Sequence, residues 1–256
     1  MDRSRRAQRA RPVPRTIWIW AITLSLIDLA LMLGFVAHIA ARRYDALGFF
    51  SYWRWHGEQD RSFLEILGAT QLVAAAVLLL ILTRRRTQAS VYSAWALLFV
   101  VMAVDDLAEL HERGSRYLRT TFDLPAPMGL RPDDVGELLT WAALGLVPLV
   151  LLVVTHRASS SEARRNSWNL AGLVLILVAF AVGLDMVYIM VRDGLDWIYL
   201  ATLVMLESGG ELVAMTLILL FVLSHFLRDK AAAAGSAGLA SGESGDGHSG
   251  GDGHSK

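Results

Sequence analysis

Six blocks of apolar residues, each roughly twenty long, constrain this chain more than any other feature. They run approximately over residues 17–41, 63–82, 89–111, 135–155, 168–191 and 197–227. A helix of about twenty residues crosses the ~30 Å hydrocarbon core of a bilayer. Inside that core no water is available, so each backbone N–H and C=O must find its partner within its own segment. A helix meets that demand. The expectation is therefore an all-α, polytopic transmembrane bundle of six helices with the lipid bilayer as its surroundings.

Composition agrees. Of 256 residues, 54% are hydrophobic and 19% charged, against about 45–50% and about 25% in soluble domains. The absence of cysteine excludes thiol nucleophiles, iron–sulfur clusters and cysteine-based zinc sites. Equal numbers of basic and acidic residues, 24 each, leave no electrostatic footprint for nucleic acid. The first block follows an arginine-rich stretch, as a signal peptide would. It is longer than a signal core, carries Asp28 and is followed by no small-residue cleavage pattern, so it is read as a retained helix.

Fifteen of the 24 Lys and Arg residues fall in the N-terminal tail, the turns near residues 82–89 and 156–167, and the segment after the last span. This excess predicts that both termini are cytoplasmic. The expected organisation is a basic tail over 1–16, a transmembrane domain over 17–229 and a disordered tail over 230–256. That tail is rich in Gly, Ser and Ala and contains His248 and His254, and it lacks the apolar surface a fold requires.

Ten carboxylates lie in or at the edges of the spans: Asp28, Glu65, Asp105, Asp106, Glu109, Glu112, Glu137, Asp185, Glu207 and Glu211. No Lys or Arg lies well inside any span to balance them. A charged group at mid-bilayer costs on the order of 2.5–3.5 kcal/mol on insertion scales. Protons or metal ions are the partners such an excess requires. With both termini inside, most of these acids fall in the outer leaflet, as does His38. The inner half reads as almost purely apolar apart from Gln71 and Ser or Thr residues.

At ~100° per residue, Asp105, Glu109 and Glu112 fall within about 60° of one another on the third helix. Asp106 is displaced from that stripe, and His111 is expected nearly opposite it. In the last span Glu207 and Glu211 share a face, with Gly209 and Gly210 between them to admit a neighbouring helix. Carboxylates facing each other across two helices are how bundles build metal sites. Here the donors are mainly oxygens, which suits Mg, Ca or Mn. Iron or zinc would need His111 or His38 as well. Neutral readings stand beside this one. Glu109 and Glu112 can pair with Arg113 and Arg116 along the helix, Asp28 can hydrogen-bond between helices, and Glu65 and Glu137 can stabilise helix N-termini.

The run Asp105-Asp106, four residues, His111-Glu112 resembles a pattern in uncharacterised bacterial multi-pass membrane proteins, where an Asp-Glu pair precedes His-Glu near a helix end. A later helix in that group holds paired glutamates followed by small residues, matched here by Glu207 and Glu211. This chain has Asp106 where Glu is usual and a lone Glu207 rather than an adjacent pair. The resemblance covers two of six spans and implies an architecture and a site location, not an activity.

The resulting expectation is an outward-facing intramembrane site built from Asp105, Glu109, Glu112, Glu207 and Glu211, with Asp106, Asp185, His111 and His38 as additions. It would bind a divalent metal ion and act on a lipid-like substrate. Two other classes remain open: a cation or proton transporter using the same acids, and an accessory subunit of a membrane complex. No phosphate loop, Gly-x-Ser-x-Gly elbow or His-Glu-x-x-His motif is present. The sequence leaves oligomeric state open.

Overall fold

The structure, a computed structural model, describes residues 15–45, 47–57, 59–86, 89–125 and 130–243, with side chains described as far as residue 233. The chain is all-α. Its helices are α1 (Arg15–Tyr44), α2 (Phe63–Arg85), α3 (Val91–Ala108), α4 (Leu110–Thr121), α5 (Pro132–Ala158), α6 (Ser161–Val178), α7 (Asp185–Val191) and α8 (Trp197–Glu243). A π-helical turn, Ala179–Leu184, joins α6 to α7 into one continuous span. Counted that way, the described residues form seven α-helices, six of them long and apolar enough to cross a membrane.

The central layer is the α2–α3 hairpin with α8 against α2. Small and branched side chains make the close approach feasible: Ala69, Leu72, Ala75, Ala76 and Leu79 of α2 interlock with Ala94, Ala96, Phe99 and Ala103 of α3. The α1 helix packs on α8, α6 packs on α8, and α5 packs on α3 and α4. Much of the apolar surface of α1, α5 and α6 faces outward, as in Leu29, Leu33, Leu146, Val147 and Leu175. That is the surface a bilayer would cover.

Three differences from the sequence expectation matter for function. The third span ends at Ala108. Glu109 adopts a left-handed conformation (φ 51°, ψ 43°), and a separate charged helix, α4, begins at Leu110 and packs on α5. The π-helical turn interrupts the fifth span just before Asp185. The last helix continues to Glu243, so the boundary expected at residue 230 falls inside it. His248 and His254 lie outside the described residues.

The bundle core is also less purely apolar than expected. The Thr216 hydroxyl donates to Asp28 Oδ2 (2.7 Å) and accepts from Gln71 Nε2 (2.8 Å), linking α8, α1 and α2 in the interior. Nearer the other end, Trp95 Nε1 donates to Ser167 Oγ (2.9 Å) and Asn166 Nδ2 donates to the Tyr92 hydroxyl (2.9 Å), both between α3 and α6. Arg86 ties that end together through Glu162 and Asp229, each at 2.8 Å.

Candidate functional site: an acid chamber within the bundle

A cavity of about 480 Å³ opens among α2, α3, α4, α5, the π-helical turn, α7 and α8. Eight carboxylates line it: Asp60, Glu65, Asp106, Glu112, Glu137, Asp185, Glu207 and Glu211. His111, Arg131, Gln59, Ser208 and Trp141 complete its polar wall, and Leu212 and Met215 lie deeper.

Local structure explains how each acid arrives there. Ser62 caps α2 by accepting from the Glu65 N–H (3.2 Å). The Glu65 carboxylate in turn accepts from the Arg61 backbone N–H. Glu65 thus ties down the residue ahead of the Ser62 cap and still lines the cavity. On α5, Pro132 occupies the first turn, where its missing N–H costs nothing. Arg131 grips Asp134 (2.8 Å), which orients that helix and sets Glu137 one turn further on. The wider π-helical turn carries Ala181 and Asp185 into the lining. Such turns often occur at functional sites.

The reversal at Glu109 decides the roles in the Asp105–Glu112 run. Asp105 is buried and does not line the cavity. Oδ1 accepts the His111 backbone N–H (2.8 Å), one of the donors left unpaired at the start of α4. Oδ2 accepts from Trp141 Nε1 (2.9 Å) and lies 3.2 Å from His111 Nδ1, out of line for a straight hydrogen bond. Asp105 therefore positions His111 and the α3–α4 junction. Burial disfavours a charge on His111, but Asp105 beside it, followed by Glu137 and Asp106, raises its pKa overall.

Of the nine residues expected at the site, the cavity gathers Asp106, His111, Glu112, Asp185, Glu207 and Glu211. Asp105, Glu109 and His38 do not line it. Glu109, at its backbone reversal, lies at the chamber rim and pairs with Arg61 (3.2 Å) rather than Arg113. Glu112 pairs with Arg116 at 3.3 Å, as the helical spacing suggested. His38 lines a different cavity. His111, expected opposite the carboxylate stripe, faces the chamber because it sits on a new helix.

Among the described residues, one group of three acids brings candidate ligand atoms within 4.8 Å of one another: Asp60, Glu109 and Glu112, at the chamber rim. Asp60 and Gln59 were not anticipated. They sit in the irregular segment before α2, where no helical periodicity points to a shared face.

Gly209 and Gly210 act as spacers on α8. A Cβ on Gly209 would meet Met32 of α1 at 2.9 Å, and one on Gly210 would run into the Phe180 ring of the π-helical turn. These two contacts hold α1 and the turn close around Glu207 and Glu211.

A family model matches residues 54–226, more than half of the chain and every residue of the chamber. The chain belongs to that family, described as a domain of unknown function (DUF8692). The DUF8692 match begins beyond α1, so Asp28, His38, Arg42 and Arg43 lie outside it. No curated protein and no solved structure matches the chain.

Proposed function

We propose that this protein binds a divalent cation in the acid chamber and uses it on a lipid-like substrate entering from the surrounding bilayer. Charge balance carries the reading. Eight carboxylates line one cavity; among the described residues Arg131, already engaged by Asp134, is the one guanidinium in its wall, and Arg116 outside it pairs with Glu112. Such an excess within an apolar bundle calls for cations. Oxygen donors suit Mg, Ca or Mn, and His111 adds a nitrogen donor acceptable to zinc or iron. A bound metal would polarise a substrate oxygen or lower the pKa of a water, and a carboxylate left unligated would serve as general base. The placement proposed is a bacterial cytoplasmic membrane with both termini inside and the chamber facing outward, as the distribution of Lys and Arg indicates.

The test is a Mn²⁺ titration of the purified protein, followed by electron paramagnetic resonance. Wild type should take up the ion, and Glu207→Gln/Glu211→Gln should weaken uptake at least tenfold while keeping its folded elution profile. Equal uptake by both would refute the chamber as the site.

A second reading, cation or proton translocation, is favoured by the Asp28–Thr216–Gln71 hydrogen-bonded group. Gln71 lies about 9 Å further along α2 than Glu65, and Thr216 about 7.5 Å further along α8 than Glu211, at ~1.5 Å per residue. Asp28 Oδ1 and Gln71 Oε1 are buried and without a hydrogen-bond partner among the described residues. Ion flux in proteoliposomes that is abolished by Asp28→Asn would select transport over chemistry.

A further inference from the structure

A second cavity, of about 580 Å³, lies beside the acid chamber and has the opposite chemistry. The last turns of α1 supply His38, Arg42 and Arg43, the segment leading to α2 supplies Ser51 and His56, and Trp197 opens α8 on the far wall. Gln59 lines both cavities.

The two basic side chains here differ from those around the acid chamber. Arg61, Arg116, Arg119 and Arg131 each meet a carboxylate. Among the described residues, no carboxylate pairs with Arg42 or Arg43. Arg43 instead lies over the Trp197 ring, 5.4 Å from its centroid. That contact orients the guanidinium and leaves it without a carboxylate partner among the described residues.

The imidazoles add to this. His38 Nδ1 is held 2.6 Å from the Phe50 carbonyl, which fixes it as a donor and orients the ring. The His56 ring stands edge-on to His38 at 5.4 Å, and its Nδ1 is buried with no partner among the described residues. Burial, then His38 and Arg42, lower the His56 pKa, as a site of positive potential would.

We infer that this cavity takes the phosphate headgroup of an anionic phospholipid, held by Arg42 and Arg43 with His38 and His56 beside it. Planar guanidiniums match phosphate oxygens in pairs. The acyl chains have a surface to follow: Val36, Leu33 and Leu29 of α1 are exposed and apolar, and they descend along the helix from the basic turn. That continuity favours a lipid over a free phosphate ion. The inference does not depend on a metal in the neighbouring chamber, although Gln59 would set the headgroup at its edge.

The experiment is native mass spectrometry of the delipidated full chain in non-ionic detergent, titrated separately with phosphatidylglycerol, phosphatidylcholine and inorganic phosphate. Wild type should bind phosphatidylglycerol at least tenfold more tightly than phosphatidylcholine. Arg42→Gln/Arg43→Gln should abolish that preference. Arg42→Lys/Arg43→Lys should retain part of it, and Arg157→Gln/Arg165→Gln, which removes two exposed charges from another surface, should leave it intact. If the double Gln variant does not fold, Arg42→Gln and Arg43→Gln are judged singly by the same ratio. An unchanged preference in the Arg42/Arg43 variants, or an equal loss in the Arg157/Arg165 variant, overturns the inference. Inorganic phosphate binding as tightly as the lipid overturns the lipid as the source of the phosphate.

Discussion

Asp105 directs both carboxylate oxygens to holding His111 and Trp141 at the point where α3 gives way to α4. Asp105→Asn keeps the size but offers one acceptor oxygen where two are used. Hydrogen bonds to a charged group are worth about 1.5–3 kcal/mol each, so a loss of roughly that size is expected in thermal melts in detergent. Cation uptake by the surviving folded protein should change little, because Asp105 does not line the chamber. A variant that melts like wild type would remove Asp105 from this role. His56 makes a prediction of the opposite character. Its folded-state pKa is lowered, chiefly by burial and then by His38 and Arg42, below an unfolded value of about 6.5. Its contribution to stability is therefore present above about pH 6.5 and lost as pH falls through the folded pKa. Between pH 7 and 5 the wild-type melting temperature should fall more steeply than that of His56→Gln. Parallel curves would show that His56 does not carry the acid sensitivity.

At the scale of elements, α8 is the helix against which α1, α2 and the π-helical turn all pack, and its glycine pair sets how near they come. Gly210→Ala should destabilise by about 1–3 kcal/mol, the usual cost of overpacking, because the added Cβ would overlap Cγ at the base of the Phe180 ring. Adding Phe180→Ala should recover part of the loss, and strict additivity of the two changes would contradict the contact. Gly209→Ala should cost less, since it meets the flexible end of Met32. The six spans were legible in the sequence because bilayer thickness imposes length and apolarity together. The two interruptions were not. Glu109 has no intrinsic preference for positive φ, so the wheel that united Asp105, Glu109 and Glu112 assumed a helix that stops at Ala108. The π-helical turn Ala-Phe-Ala-Val-Gly-Leu reads as ordinary apolar span, and nothing in its residue types marks the turn that packs on α8.

At the scale of the whole molecule, polarity is divided between an acid chamber with a basic cavity beside it and an interior closed by hydrogen bonds among Asp28, Thr216, Gln71, Trp95 and Ser167. Most of the chamber was legible from residue type alone, since carboxylates without internal bases stand out in apolar spans. Asp60 and Gln59 were hidden in irregular chain, and His38 was assigned to the wrong cavity because depth in the bilayer does not say which side of a helix a residue occupies. The chamber also separates two locations for a cation that the sequence could not distinguish: the deep acids of α8 and the rim group Asp60, Glu109 and Glu112. The most direct measurement is elemental analysis of the purified protein after equilibrium dialysis, in wild type, Glu207→Gln/Glu211→Gln and Asp60→Asn/Glu109→Gln/Glu112→Gln. Wild type should hold about one or two equivalents of a divalent metal, the deep variant should lose it, and the rim variant, which removes two of the eight chamber carboxylates, should lose it only in part. Metal retained by the deep variant, or absent from folded wild type, would contradict it.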